Sequence, residues 1–225
     1  SLVKPAEHCF LRELKSLEQD APHTYARLIR QLFSLCQANL NTVPKSGGGG
    51  GGSSGECRLA SSLLKTLDLI VQNRMTVAGI DEFLAVLLGN VKLTRDMTKL
   101  GLYVDLFCDI LLSQVNNKSG EAADEQKPPP PPAAIREKVM FQLMLMLCHQ
   151  YPRVRKLTAT KLFELIMNLP EWSGLGCFET EADCEECSGL LAETDWDQGV
   201  AAVRLVRTRF GALTRTPTPV LKRGG

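Results

Sequence analysis

The chain has 225 residues, 44% hydrophobic and 23% charged, an ordinary balance for a folded chain of one large domain or two small ones. With 26 basic and 25 acidic side chains the formal net charge is +1, so no global field argues for nucleic acid or an anionic membrane, and any charge argument must be local. The richest apolar run, VMFQLMLMLC at 139–148, is 10 residues long against the ~20 that a membrane span requires, which predicts a soluble chain without a membrane span.

Residues 1–10 lack the basic start and apolar stretch of a signal peptide, and the chain opens on Ser1; it reads as a piece of something longer. Residues 1–43 read as an amino-terminal helical hairpin. Within it, Tyr25, Leu28, Leu32, Leu35, Cys36 and Leu40 recur every three or four positions, one face of a helix over 22–40. Residues 44–55, PKSGGGGGGSSG, form a linker, since glycine loses the most entropy on ordering and offers nothing to bury. That run also lacks the Gly-Lys-Ser/Thr ending of a phosphate cradle.

Helical repeats follow over 56–115, with Leu63, Leu67, Ile70 and Val71 on one segment, a second at 80–89, and Leu100, Val104, Phe107 and Leu111 on a third over 94–115. Residues 116–134 begin as an acidic polar loop and end in five prolines, a second linker that favours extended polyproline geometry. Strand alternation and paired hairpin turns are missing throughout.

Residues 135–214 are a further set of helical repeats ending in an amphipathic basic helix, with 215–225 as a tail. The segment 135–150 is apolar nearly all round, so it must be covered on both sides, and it stops at Tyr151-Pro152 because a residue before proline disfavours helical geometry. Pro152 opens the next helix at once, giving a tight hairpin. On a wheel of 153–169, Val154, Thr158, Leu162, Leu165, Ile166 and Leu169 share one face with Arg155, while Arg153, Lys156 and Lys161 fall outside it or at its edge. A guanidinium inside an apolar stripe must find a partner, and its planar fork suits a carboxylate or helix-end carbonyls, so Arg155 reads as structural.

Cys177, Cys184 and Cys187 form C-x6-C-x2-C, half of a zinc pattern with no second pair or histidine near it, and they are weak metal candidates only. The default for 174–189 is a solvated acidic loop whose acids raise thiol pKa values. Cys9, Cys36, Cys108 and Cys148 lie among apolar helix-type residues and read as buried reduced thiols. Thr194-Asp195-Trp196-Asp197 has capping-box spacing and announces the last helix, on which Trp196, Val200, Val203, Val206, Phe210 and Leu213 recur at spacings of 4, 3, 3, 4 and 3. Trp196 and Arg207 fall on that stripe and read as structural. Arg204, Arg209 and Arg215 join Arg153, Lys156 and Lys161 as candidates for contact with an acidic partner. His8, His23 and His149 have no readable carboxylate or serine constellation; no catalytic residue and no cofactor is expected.

The nine or so helices, short turns and absent heptads predict an all-α, HEAT/armadillo-like α-solenoid of antiparallel hairpins. Pro152, Val154-Arg155 and Ala159 resemble the opening of the second helix of a HEAT repeat. Four blocks in order, LLKTLDLIV (63–71), MTKLGLYVDLFCDIL (97–111), LCHQYPRVRKLTATKLFELI (147–166) and ETDWDQGVAAVRLVRTRF (193–210), resemble the carboxy-terminal region of the tubulin-folding cofactor D family, the tubulin-specific chaperone D proteins. The resemblance covers roughly 22–215 without the linkers. It implies a cytoplasmic repeat protein that holds β-tubulin during heterodimer assembly and disassembly, and that works with tubulin cofactors C and E and an Arf-like small GTPase. It further implies that such a protein stimulates GTP hydrolysis by tubulin without catalysing it alone, and resides on the microtubule cytoskeleton, at centrosomes or basal bodies. The alternatives are a generic HEAT scaffold of another assembly and a metal-binding protein using Cys177, Cys184 and Cys187.

Overall fold

The computed structural model describes residues 3–40, 53–73, 79–115, 133–169 and 171–218. Among these the chain is all-α, with nine α-helices, one short 3-10 turn and no strand. The glycine run and the proline run lie outside the described residues, apart from Ser53-Ser54-Gly55, which join a helix, and Ala133-Ala134, which open one. The chain divides into two compact units, Ser1–Leu106 and Phe107–Gly225.

In the first unit, α1 (Val3–Asp20) and α2 (Pro22–Leu40) are separated by Ala21 alone. Pro22 is tolerated because a first-turn N–H has no helical partner, and Ala21 O accepts from the N–H groups of Thr24 and Tyr25. α2 touches α1, α3 (Ser53–Gln72) and α4 (Ile80–Val91), so it is the central helix of the unit. Leu14, Tyr25, Ile29 and Ile70 form one cluster of the core, flanked by Leu11, Leu17, Leu32 and Phe33, and Leu64, Leu67, Leu84 and Leu87 are buried as well. Phe33 stacks on Phe83 at 4.1 Å. Cys9, grouped with the buried thiols by its neighbours, is exposed; Cys36 and Cys108 are buried and Cys148 is half-buried. The first residues of α1 are exposed as a group, so an apolar neighbour there does not imply cover. α5 (Met97–Val115) begins three residues later than its apolar pattern suggested, because the Asp96 carboxylate accepts from the N–H of Thr98 at 2.8 Å and caps it.

The second unit holds α6 (Ala133–Leu147), α7 (Pro152–Met167), a 3-10 turn (Trp172–Leu175), α8 (Glu181–Glu193) and α9 (Val200–Leu213). Each helix packs on its neighbour in sequence, the helix-on-helix arrangement of an α-solenoid, and α6 also touches α9. α6 is buried nearly all round, Gln142 included. It ends at Leu147, before the proline, where the N–H groups of Cys148 and His149 turn to the carbonyls of Leu145 and Met146 three residues back, each at 3.1 Å, and the last turn tightens.

Two sequence readings of this unit are corrected. The acidic, thiol-bearing stretch is the helix α8 rather than a solvated loop. Cys184, Cys187 and Leu191 recur at helical spacing and are buried, while Glu181, Glu185 and Glu186 face out. Its start carries the capping box that was read at Thr194: Thr180 Oγ1 accepts from the N–H of Asp183, whose carboxylate accepts from the N–H of Thr180 at 2.9 Å. Thr194 instead ends α8, its hydroxyl donating back to Leu190 O. The last helix starts at Val200, because Asp195 Oδ1 takes the N–H of Asp197 in a local turn and the carbonyls of Trp196 and Gln198 are directed at Arg155.

Candidate functional site

Pro152 places α7 so that Val154 and Arg155, the third and fourth residues of the helix, point inward; both are 2% exposed. The Arg155 guanidinium is satisfied by backbone oxygens from two directions. Nε donates to Trp196 O at 2.8 Å, Nη2 to Gln198 O at 2.8 Å and Nη1 to His149 O at 2.8 Å, with Gln150 O at 3.4 Å. Carbonyls beyond a helix end carry the partial negative charge that a cation requires. One side chain thereby ties the α6–α7 turn to the 195–199 turn, and Trp196, 5% exposed, is fixed beside it by its indole N–H to Leu191 O at 3.0 Å. Arg207 is also buried, at 6% exposure.

The six basic candidates for a partner surface divide by what they touch. Arg153 and Arg204 project into solvent from α7 and α9. Lys156 pairs with Asp197 across 41 residues, Lys161 with Glu164 at 3.2 Å, and Arg209 with Glu186 on α8. The Arg209 pairing depresses the Glu186 carboxyl below its ordinary range. Such exposed pairs contribute little to stability, and each occupies charge that a partner would have to displace. Arg215 is exposed overall, yet its guanidinium donates to Phe178 O at 3.1 Å and Cys177 O at 3.4 Å. That role was invisible in the sequence, since a carbonyl acceptor belongs to every residue type.

The chemistry available to the titratable groups is restrained. Burial pushes the Cys177 thiol up to about 12 and also raises Cys184 and Cys187, where Glu181, Glu185, Glu186 and Asp183 add to the effect. These are protonated, weakly nucleophilic thiols at neutral pH. Among the described residues no group of three or more His, Cys, Asp and Glu side chains is arranged to hold a metal ion. His149 is half-buried, its Nδ1 accepting from the Tyr151 N–H at 3.2 Å, and burial together with Arg155 lowers its pKa. His8 and His23 are exposed on α1 and α2. No helix among the described residues is long and apolar enough to cross a membrane.

The fold and these residues define an all-α protein of packed helical hairpins carrying separate exposed basic side chains on α7 and α9. No protein-family model and no solved structure matches the chain.

Proposed function

We propose that the chain is a non-catalytic binding module of the tubulin-folding cofactor D class, which holds tubulin through its β subunit while heterodimers are assembled or taken apart. The observation that carries this reading is the set of four sequence blocks, 63–71, 97–111, 147–166 and 193–210, in the family's order. Helical hairpins stacked on neighbours supply the broad surface such a role needs. Arg153 and Arg204, both exposed, supply positive charge toward an acidic partner, tubulin being the one proposed. In this reading the module acts beside tubulin cofactors C and E and an Arf-like small GTPase, contributes to stimulated GTP hydrolysis by tubulin, and resides in the cytoplasm on microtubules or centrosomes.

Titration of α/β-tubulin with the purified protein at several salt concentrations tests this. Complex formation at micromolar concentration, weakened by salt and by a combined Arg153→Glu, Arg204→Glu exchange, is the expected result. No complex under any of these conditions would favour a scaffold in another assembly.

A further inference from the structure

The chain beyond α9 carries two threonines each followed directly by proline, Thr216-Pro217 and Thr218-Pro219. The helix closes in a Schellman motif, with the N–H of Arg215 on Ala212 O at 3.2 Å and the N–H of Thr216 on Gly211 O at 2.9 Å. That closure places Arg215 at φ 50°, a left-handed conformation that glycine takes freely and arginine does not. The guanidinium offsets the strain through its bonds to the carbonyls of Cys177 and Phe178, so the segment is held as a latch against the stretch between the 3-10 turn and α8.

Thr216 lies beneath that latch at 7% exposure, its hydroxyl donating to Thr214 O at 3.2 Å and 3.1 Å from Thr214 Oγ1. The backbone there is close-packed: a Cβ added at Gly211 would sit 3.2 Å from Thr216 O and 3.5 Å from Thr218 Oγ1. A phosphate on Thr216 Oγ1 would have to sit among the Thr214 oxygens that the hydroxyl now touches, at a position sheltered from solvent.

We propose that Thr216 is a phosphorylation site for a proline-directed protein kinase, and that the phosphate holds the Arg215–Thr218 latch open. The γ-phosphoryl group of ATP passes to Thr216 Oγ1, the bond to the β-phosphate breaks, ADP departs and the hydroxyl proton is released to solvent. A phosphothreonine carries nearly two negative charges and three strong acceptors. It cannot be reburied between Thr214 and Gly211 without partners, so the segment stays out until the phosphate is removed. Arg215, once freed from the two carbonyls, is the adjacent cation for the new anion. This inference does not depend on what the protein binds.

The test incubates the full chain with a proline-directed kinase and magnesium ATP, locates phosphate by peptide mass spectrometry and follows hydrogen exchange over 210–218. Phosphate on Thr216 with faster exchange of that segment is expected in the unaltered chain. Arg215→Ala, which keeps the strain and removes its compensation, should raise the rate of modification on the order of tenfold. Phosphate on Thr218 alone, no phosphate on Thr216 in either chain, or unchanged exchange after complete modification would overturn the proposal; the wild-type comparison stands even if the variant does not fold.

Discussion

Both units pack an apolar core, and in the carboxy-terminal one arginines also bond backbone oxygens far along the chain. In the amino-terminal unit Leu14, Tyr25, Ile29 and Ile70 form one cluster of that core, and the hydroxyls and amides of Ser34, Asn39, Thr66 and Asn73 reach back one helical turn to backbone oxygens. In the carboxy-terminal unit arginines reach across the chain: Arg136 to Leu175 O, Arg155 to Trp196 O and Gln198 O, Arg215 to Phe178 O, over 39, 41, 43 and 37 residues. Apolar burial is non-directional and roughly proportional to area, so such a core tolerates repacking. A guanidinium fork is directional, and its removal strands several buried acceptors at once.

The widest separation between the units comes from Arg155→Ala against Ile29→Ala. Losing Arg155 leaves the carbonyls of His149, Trp196 and Gln198 without their donor, a cost of about 3 kcal/mol or more. Ile29→Ala leaves a cavity costing about 2–5 kcal/mol. The discriminating measurement is hydrogen exchange: the first should deprotect α7 and residues 195–199 and leave α2 protected, the second the reverse. Arg155→Lys should recover only part of the loss, because an ammonium cannot reproduce the fork. Unchanged protection of 195–199 in Arg155→Ala would remove the basis of the comparison.

Two glycines sharpen it with opposite signs. Gly176 has φ 63°, and a Cβ there would meet Arg136 Nη1 at 2.8 Å, so Gly176→Ala should destabilise by about 1–2 kcal/mol. Gly89 lies exposed in α4 with nothing within 4 Å of an added Cβ, and Gly89→Ala should stabilise by about 0.5–1 kcal/mol. Urea midpoints that both fall would contradict the Gly89 assignment, and midpoints that both rise would contradict the Gly176 one. Smaller again is Lys156→Ala: its pair with Asp197 is exposed on both sides, and the expected cost is at most about 0.5 kcal/mol by the same titration. A loss near that of Arg155→Ala would mean that the surface pair, and not the buried fork, secures the 195–199 turn.

The contrast also marks how far the sequence could be read. Apolar spacing located the helices, and an arginine among Val154, Thr158 and Leu162 could be recognised as a side chain in need of acceptors. Where the acceptors lay was not legible, because backbone carbonyls have no residue signature and those of Trp196 and Gln198 are brought to Arg155 only by the fold. The same blindness misplaced the last helix start: Thr194 and Asp197 have the spacing of a cap, as do Thr180 and Asp183, and local pattern cannot rank two matching boxes. Cys184 and Cys187 were submerged in acidic neighbours, although Cys184, Cys187 and Leu191 show helical spacing once a face is drawn. For Arg209 and Lys161 the opposite charges were present in the sequence, but only their approach in space shows them engaged.

The gentlest perturbation of the arginine-centred turn is a proton. His149 Nδ1 accepts from the Tyr151 N–H, and burial, with Arg155 beside it, lowers the imidazole pKa below the ordinary 6.5. Above pH 6.5 folded and unfolded chains both hold it neutral, and it contributes no pH dependence. As the pH falls through that value the unfolded chain takes up a proton that the folded chain resists, so stability declines until the folded pKa is passed and then levels. Urea midpoints measured from about pH 7.5 to 5 for the wild type and for His149→Asn isolate the effect, since the amide oxygen can accept the same N–H without titrating. The wild type should lose stability relative to the variant on acidification, by a small amount because the ring is half-exposed. Parallel profiles would show that the turn is indifferent to the charge of His149 and that Arg155 holds it alone.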